Sequence, residues 1–278
     1  MTMDKKQLKK IINAALNEDI QSGDITTNFI VPRDKKSKAL FMAKEDGVIA
    51  GLIIAKTVFE KFDKKIVWKS FVKDGDVVKA GSIIAEIKGN LRTLLTCERT
   101  ALNLLQRMSG IATATNAFVK KIYGTNSKIL DTRKTAPGLR MLDKYSVKIG
   151  GGTNHRIGLY DMVLIKDNHI KTAGSITNAV AQIKMNLKKK MKIEVETKNL
   201  DEVREAVKTK VDIIMLDNMS IGTMKEAVKI IGGKIKTEAS GNVNLNTAKA
   251  IAKTGVDYIS VGALTHSVKA LDINMKIV

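Results

Sequence analysis

From residue 128 to 266 the sequence repeats one pattern: a short apolar run, a charged or glycine-rich end, then a helical stretch. The apolar runs end in ILDTRK, MVLIKDN, KIEVET, DIIMLDN, KTEASGN and YISVGA, with helical patterns near 138–148, 175–190, 199–209, 220–231 and 244–254. Parallel strands need a crossover between them, and strands covered by helices on one face and a core on the other read as continuous apolar runs. At least six such units, with no G-x-G-x-x-G fingerprint, favour a closed or nearly closed α/β barrel over a doubly wound sheet. Barrel chemistry sits at the C-terminal ends of the strands. The pattern puts Arg133, Lys134, Lys166, Glu196, Asp217, Glu238, Ser240, Gly241 and Gly262 there, so these residues are expected to converge on one mouth.

The part before residue 128 is organised differently. Residues 4–18 predict an amphipathic helix, with Leu8, Ile11, Ile12, Ala15 and Leu16 on one face and lysines opposite. Asp24 to Thr27 reads as a cap or turn. Lys38 to Gly89 predicts short strands punctuated by glycine. Its last piece, DGDVVKAGSIIAEIKG, resembles the hairpin of barrel-sandwich modules, but it lacks a Met-Lys-Met tip and reads as architecture. Arg92 to Tyr123 predicts two helices broken near Ser109-Gly110.

Charge narrows the partners. The net charge of +20 permits nucleic acid, an anionic membrane surface or a highly anionic small substrate. Lysine is spread through every segment, whereas six of the eight arginines (Arg92, Arg99, Arg107, Arg133, Arg140, Arg156) fall between residues 92 and 156. A chain that otherwise prefers lysine keeps arginine where a planar fork on carboxylate or phosphate matters. No basic-aromatic stacking stretch, zinc spacing or helix-turn-helix pattern supports nucleic-acid binding. The start lacks signal-peptide character, no apolar run is long enough to span a membrane, and the one cysteine, Cys97, permits no internal disulfide. A cytoplasmic location is the expectation.

The densest stretch is Ile129 to Ile170, with a Gly150-Gly151-Gly152 turn at its centre. Arg133, Lys134, Arg156 and Lys166 supply too much positive charge for one monoanion, so a polyphosphate and a dicarboxylate are expected. A solvated basic loop would have little use for three glycines and two forked arginines together. Ser240-Gly241-Asn242 and Val261-Gly262-Ala263 end the last two strands, where free backbone N–H groups can cradle phosphate; ordinary βα turns are the alternative. Glu196 and Asp217 end neighbouring strands and suit three roles: holding magnesium together with substrate phosphates, steadying a developing positive charge, or pairing with Lys134 or Lys166. His155 can donate to a substrate carboxylate, His169 and His266 read as structural, and no nucleophile triad is present.

These residues together resemble the quinolinate phosphoribosyltransferase family, type II phosphoribosyltransferases also called carboxylating nicotinate-nucleotide pyrophosphorylases. The resemblance runs from about residue 8 to 275 and is carried by EDIQSGDITT, CERTALNLLQRMSGIAT, DTRKTAPGLR, KYSVKIGGGTNHRIGLYDMVLIKDNHI, EVET, IMLDN, EASGN and GVDYISVGALTHS. It implies an N-terminal α/β sandwich over residues 1–110, to which the tail 268–278 returns, and an α/β barrel of about six or seven strands over 111–267. It also implies transfer of phosphoribose to quinolinate, giving nicotinate mononucleotide, CO2 and pyrophosphate, with Mg2+ required. By motif position, Thr132, Arg133, Lys134, His155, Arg156 and Lys166 hold the carboxylates and phosphates. Glu196 and Asp217 lie near the ribose and Mg2+, with Lys134, Lys166, Glu196 and Asp217 as the catalytic set. Ser240, Gly241, Asn242, Val261, Gly262 and Ala263 take the 5-phosphate, and Arg99 reaches the barrel mouth of a partner subunit in a homodimer or larger assembly. Three rivals remain: the family's paralogue associated with molybdenum transport, a basic nucleic-acid-binding barrel, and a non-catalytic phosphate-binding barrel. The intact IKDNH and CERT segments argue against the first.

Overall fold

The structure, a computed structural model, describes residues 4–278. It begins with α1 (Lys5–Ile20), α2 (Ile25–Ile30), β1 (Lys36–Ala43), β2 (Gly47–Val48), α3 (Leu52–Phe62), β3 (Val67–Ser70), β4 (Val77–Val78), β5 (Ile83–Asn90) and α4 (Leu91–Lys121). Next come β6 (Lys128–Leu130), α5 (Arg140–Ile149), β7 (Val163–Ile165), α6 (Asp167–Ala173), α7 (Ile176–Asn186), β8 (Ile193–Thr197) and α8 (Leu200–Lys208). The chain closes with β9 (Ile213–Asp217), α9 (Ile221–Ile231), β10 (Lys236–Ser240), α10 (Ala248–Ala252), β11 (Tyr258–Ser260), α11 (Ala263–His266) and β12 (Ile273–Ile277). It forms two compact units.

The first unit takes the residues up to Asn116, then Thr135–Gly151 and Leu264–Val278. Its antiparallel sheet has the order β12-β1-β5-β3, so the C-terminal tail pairs with β1. The hairpin expected over 74–89 does not form: β4 pairs with β2, while β5 pairs with β1 and β3. Phe41, Phe59, Leu94, Leu105, Met108, Met141, Leu142 and Ile273 belong to one buried cluster, and Phe59 meets Phe41 edge-on at 6.1 Å. Fully burying such a side chain contributes roughly 1.5–3 kcal/mol.

The predicted break in the long helix is also absent. Ser109 is buried inside α4; its hydroxyl accepts from Ala50 N at 3.0 Å and donates to Ala50 O at 3.2 Å. A Cβ at Gly110 would collide with the carbonyl of Lys269. Serine and glycine here permit close approach and do not end a helix.

Besides the C-terminal tail, the first unit takes in a segment from the middle of the chain. Residues 135–151, which look like the first barrel helix, group with the first unit because α5 carries Met141 and Leu142 into that core. Its Asp143, fully buried, accepts two bonds from Arg107 at 2.9 and 2.8 Å, and Tyr145 Oη donates to Asp74 at 2.8 Å.

The second unit takes residues 117–134 and 152–263. Among the described residues its parallel sheet has six strands in the order β6-β11-β10-β9-β8-β7. Beyond β6, Thr153 adds a single parallel bridge: Thr153 N donates to Ile129 O at 2.8 Å and Asp131 N to Thr153 O at 3.2 Å. Ser175, Asn199 and Ser220 each accept the backbone N–H three residues on. These caps start α7, α8 and α9. Along each strand side chains alternate, so Glu194 with Glu196, Met215 with Asp217, and Glu238 with Ser240 share a face. Register places Glu196 and Glu238 beside Met215, and Ser240 beside Asp217.

Candidate active site

The C-terminal ends of these strands enclose a cavity of about 440 Å³, lined by residues of the second unit. Thr132, Arg133 and Lys134 follow β6, His155 and Arg156 come from the loop before β7, and Lys166 follows β7. Glu196 and Asp217 end or follow their strands on β8 and β9. Ser240 ends β10, Gly241 and Asn242 follow it, and Gly262 lies just past β11.

The loop carrying the cations is pinned by carboxylates. Fully buried Asp131 accepts from Asn154 Nδ2 at 2.6 Å and from His155 N at 2.9 Å. Asp161 accepts from Ile157 N at 2.8 Å and Gly158 N at 2.9 Å, turning the chain back toward β7. Arg156 is only 9% exposed, and Nη1 donates to Met162 O at 3.2 Å. Burial and the Arg133 guanidinium push its pKa below the usual arginine value, while Glu194 and Asp161 oppose that. An anionic ligand would relieve this crowding of positive charge. His169 accepts from Lys166 N at 3.0 Å, which caps α6.

The β8–β9 side is short of cations. Burial, and then the neighbouring Asp217 carboxylate, raise the Glu196 carboxyl above the usual range, with Lys166 pulling the other way. Two hard oxygen donors that repel each other suit Mg2+ held partly through substrate phosphates. On the β9–β10 side the backbone itself forms the surface. Asn218, Gly241 and Asn242 are left-handed, with φ of 54°, 97° and 52°. Asn218 N donates to Ser240 O at 2.9 Å, its Nδ2 to Asp217 at 2.9 Å, and Asn242 Nδ2 to Asn218 Oδ1 at 3.2 Å. A Cβ on Gly241 would collide with the Asn218 amide, so only glycine brings backbone this close.

Within the strands lies a group that the sequence did not single out. His155 Nε2 stands 2.9 Å from Glu194 and 3.5 Å from Glu238, and both carboxylates are completely buried. Ser260 donates to Glu238 at 2.5 Å. Burial opposes the charged imidazole, and the two carboxylates favour it. The Arg156 N–H, aimed at Nδ1 from 2.8 Å, resists a second proton because it would set N–H against N–H. The geometry fits an imidazole whose Nε2 carries the proton between the carboxylates. Ligand atoms of His155, Glu194 and Glu238 lie within 4.8 Å of one another, as in a metal cluster. With Nε2 protonated, however, that nitrogen has no lone pair for an ion.

Of the residues expected at the site, Thr132, Arg133, Lys134, His155, Arg156, Lys166, Glu196, Asp217, Ser240, Gly241, Asn242 and Gly262 line the cavity. Val261 and Ala263 do not: Val261 is buried with its N–H on Leu130 O at 3.0 Å, and Ala263 opens α11. Arg99 lies exposed on α4 in the first unit. The expected donation from His155 to a substrate is replaced by bonds to protein, since both ring nitrogens are engaged. The sequence reading missed Glu194, Asn218 and Ser260. Glu194 had a signal, since it sits two residues before Glu196 and so on the same strand face.

A parallel barrel that gathers forked cations, paired carboxylates and a backbone cradle at one mouth defines an enzyme for polyanionic substrates. Comparison with known proteins narrows this. Residues 24–109 match the family model "Quinolinate phosphoribosyl transferase, N-terminal domain", and residues 111–276 match the C-terminal domain of the same family. The chain is 47% identical over 289 residues to a chloroplastic nicotinate-nucleotide pyrophosphorylase [carboxylating] of Oryza sativa subsp. japonica, covering 97% of this chain and 77% of that protein. It is 45% identical over 275 residues to a probable nicotinate-nucleotide pyrophosphorylase [carboxylating] of Bacillus subtilis (strain 168), covering 99% and 95%. The crystal structure of NadC from Streptococcus pyogenes superposes with a TM-score of 0.96 at 42% identity, covering 100% of this chain and 99% of that one. The chain belongs to the quinolinate phosphoribosyltransferase family.

Proposed function

We infer that this chain is a decarboxylating phosphoribosyltransferase of NAD biosynthesis. It converts quinolinate and 5-phosphoribosyl 1-pyrophosphate to nicotinate mononucleotide, CO2 and pyrophosphate. The observation that carries the reading is one 440 Å³ cavity that brings together Arg133, Lys134, Arg156 and Lys166, the Glu196–Asp217 pair and the Gly241–Asn242 turn. Quinolinate is a dianion, and its two carboxylates match the two arginine forks. Ser240 and the Gly241–Asn242 backbone turn, with Gly262 beside them in the lining, suit the 5-phosphate; Val261, bonded to Leu130, and Ala263 stay outside the cavity.

Glu196 and Asp217 would hold Mg2+, and a bound ion would supply positive charge to the pyrophosphate group. Their carboxylates also stabilise the positive charge that builds on the ribose when its bond to pyrophosphate breaks. The ring nitrogen then bonds to the sugar carbon and becomes cationic. The C2–carboxylate bond breaks, its electron pair drawn toward the pyridinium, and C2 takes a proton as CO2 departs. Lys134 and Lys166 steady the negative charge during this step, and the enzyme's main contribution is positioning.

The working form is a homodimer. Arg99 is exposed on α4, and α2 nearby exposes Ile25, Phe29 and Ile30 at 70%, 85% and 74%. The two helices are tied by Thr96 to Asp24 at 3.2 Å and by Arg92 Nε to Val31 O at 2.8 Å, so cation and apolar face form one surface. A second copy would cover this surface, and the shared-site reading assigns Arg99 to that copy's substrates. The expected location is the cytoplasm; among the described residues no helix is long and apolar enough to cross a membrane.

The test is an assay of purified protein with quinolinate, phosphoribosyl pyrophosphate and Mg2+, with nicotinate as the control acid. Nicotinate mononucleotide and CO2 should form from quinolinate and not from nicotinate. No turnover with either acid by folded protein contradicts the reading. Mixing Arg99→Ala with Glu196→Gln subunits tests the shared site: activity should exceed that of either variant alone.

A further inference from the structure

Glu194 and Glu238 are completely buried carboxylates; Glu238 borders the cavity, and neither has been assigned a role toward substrate or Mg2+. Burying an ionised carboxylate costs several kcal/mol, and replacing buried charges with neutral groups is often harmless to stability. Glu194 Oε1 has no hydrogen-bond partner, and Glu238 Oε2 faces only the His155 ring, at the long distance of 3.5 Å. Stability is therefore a poor reason for both to be present, and their geometry suggests another.

His155 is held on three sides. Its Nε2 lies 2.9 Å from Glu194 and 3.5 Å from Glu238, its Nδ1 receives the Arg156 N–H at 2.8 Å, and its own N–H reaches Asp131 at 2.9 Å. Ser260 fixes the other oxygen of Glu238 at 2.5 Å. The ring is thus a rigid strut between two strands, β8 and β10, and the backbone of Arg156. Arg156, itself nearly buried beside Arg133, must aim a planar fork, and a misplacement of about 1 Å can cost on the order of a hundredfold in rate.

We propose that Glu194 and Glu238 are positioning residues which, through the doubly engaged His155 ring, set the backbone of Arg156 and so the fork that recognises the dicarboxylate substrate. The two carboxylates fix the proton on Nε2, leaving Nδ1 bare to accept the Arg156 N–H. An amide at either position keeps the shape but weakens the charge-assisted bond by about half. The ring then loses its single tautomer and Arg156 its anchor. This inference rests on assigning the Arg156 side of the cavity to quinolinate.

The experiment uses the full chain with Glu194→Gln and Glu238→Gln, checked for folding by thermal melting. Two readouts are taken. One is the ring 15N shifts of His155 by NMR, with no substrate present. The wild type should show the Nε2-protonated tautomer, and each variant a mixture. The other is steady-state kinetics. The KM for quinolinate should rise about tenfold in each variant, while the KM for phosphoribosyl pyrophosphate stays within twofold. If either variant does not fold, Ser260→Ala, which only loosens Glu238, should show the same split at about two- to threefold.

A wild-type ring protonated on Nδ1 overturns the proposal, as does an equal rise in both KM values. If the tautomer shifts as expected but the KM for phosphoribosyl pyrophosphate is the one that rises, the strut stands and the assignment of quinolinate to that side fails.

Discussion

The β6–β7 side of the cavity and the β9–β11 side both suit anions but are made of different materials. On the first, long cationic side chains stand on a loop that Asp131 and Asp161 pin in place. On the second, the backbone of Gly241 and Asn242 does the work, and the side chains that matter, such as Asn218, only keep the turn in its left-handed shape. A side-chain wall can be weakened by truncation with little disturbance to the fold. A backbone wall is blind to most truncations and sensitive to a single added methyl. Flat, forked recognition suits a rigid aromatic dicarboxylate, while a ring of N–H groups suits a tetrahedral phosphate.

The largest effect should come from Arg156→Ala. Removing one partner of a buried charge pair costs about 2–5 kcal/mol, so kcat/KM for quinolinate should fall by roughly thirtyfold to several thousandfold. Next is Gly241→Ala. The left-handed φ of 97° and the collision with Asn218 cost roughly 1–3 kcal/mol of strain, which should raise the KM for phosphoribosyl pyrophosphate about tenfold or more. Arg133→Lys keeps the charge and loses the fork; a drop of about tenfold in kcat/KM for quinolinate would sharpen the contrast. The smallest effect is at Cys97. It is fully buried and desolvation pushes its thiol up to about 12, so it stays a neutral thiol below that pH. A thiol reagent should label it at pH 8 only after denaturation.

The fold was legible where periodicity is strong. Six apolar runs with charged or glycine ends located the six parallel strands and the rim they share. Arg133, Lys134, Lys166, Glu196 and Asp217 were legible because each sits at or just past the end of such a run. What the sequence hid depended on long-range packing. Ser109-Gly110 reads as a break by propensity, yet each residue is small in order to let another segment approach. Residues 135–151 carry a barrel-like helical pattern, but their apolar face packs in the first unit. The Glu194–His155–Glu238 group joins positions 39 and 83 residues apart, and no local pattern announces such a meeting.

The most direct test of the two-walled account is calorimetric titration of Arg156→Ala and Gly241→Ala, each with quinolinate and, separately, with phosphoribosyl pyrophosphate. The account predicts a crossed result: Arg156→Ala loses quinolinate and keeps the pyrophosphate substrate, and Gly241→Ala does the reverse. Equal loss of both ligands in both folded variants would contradict it.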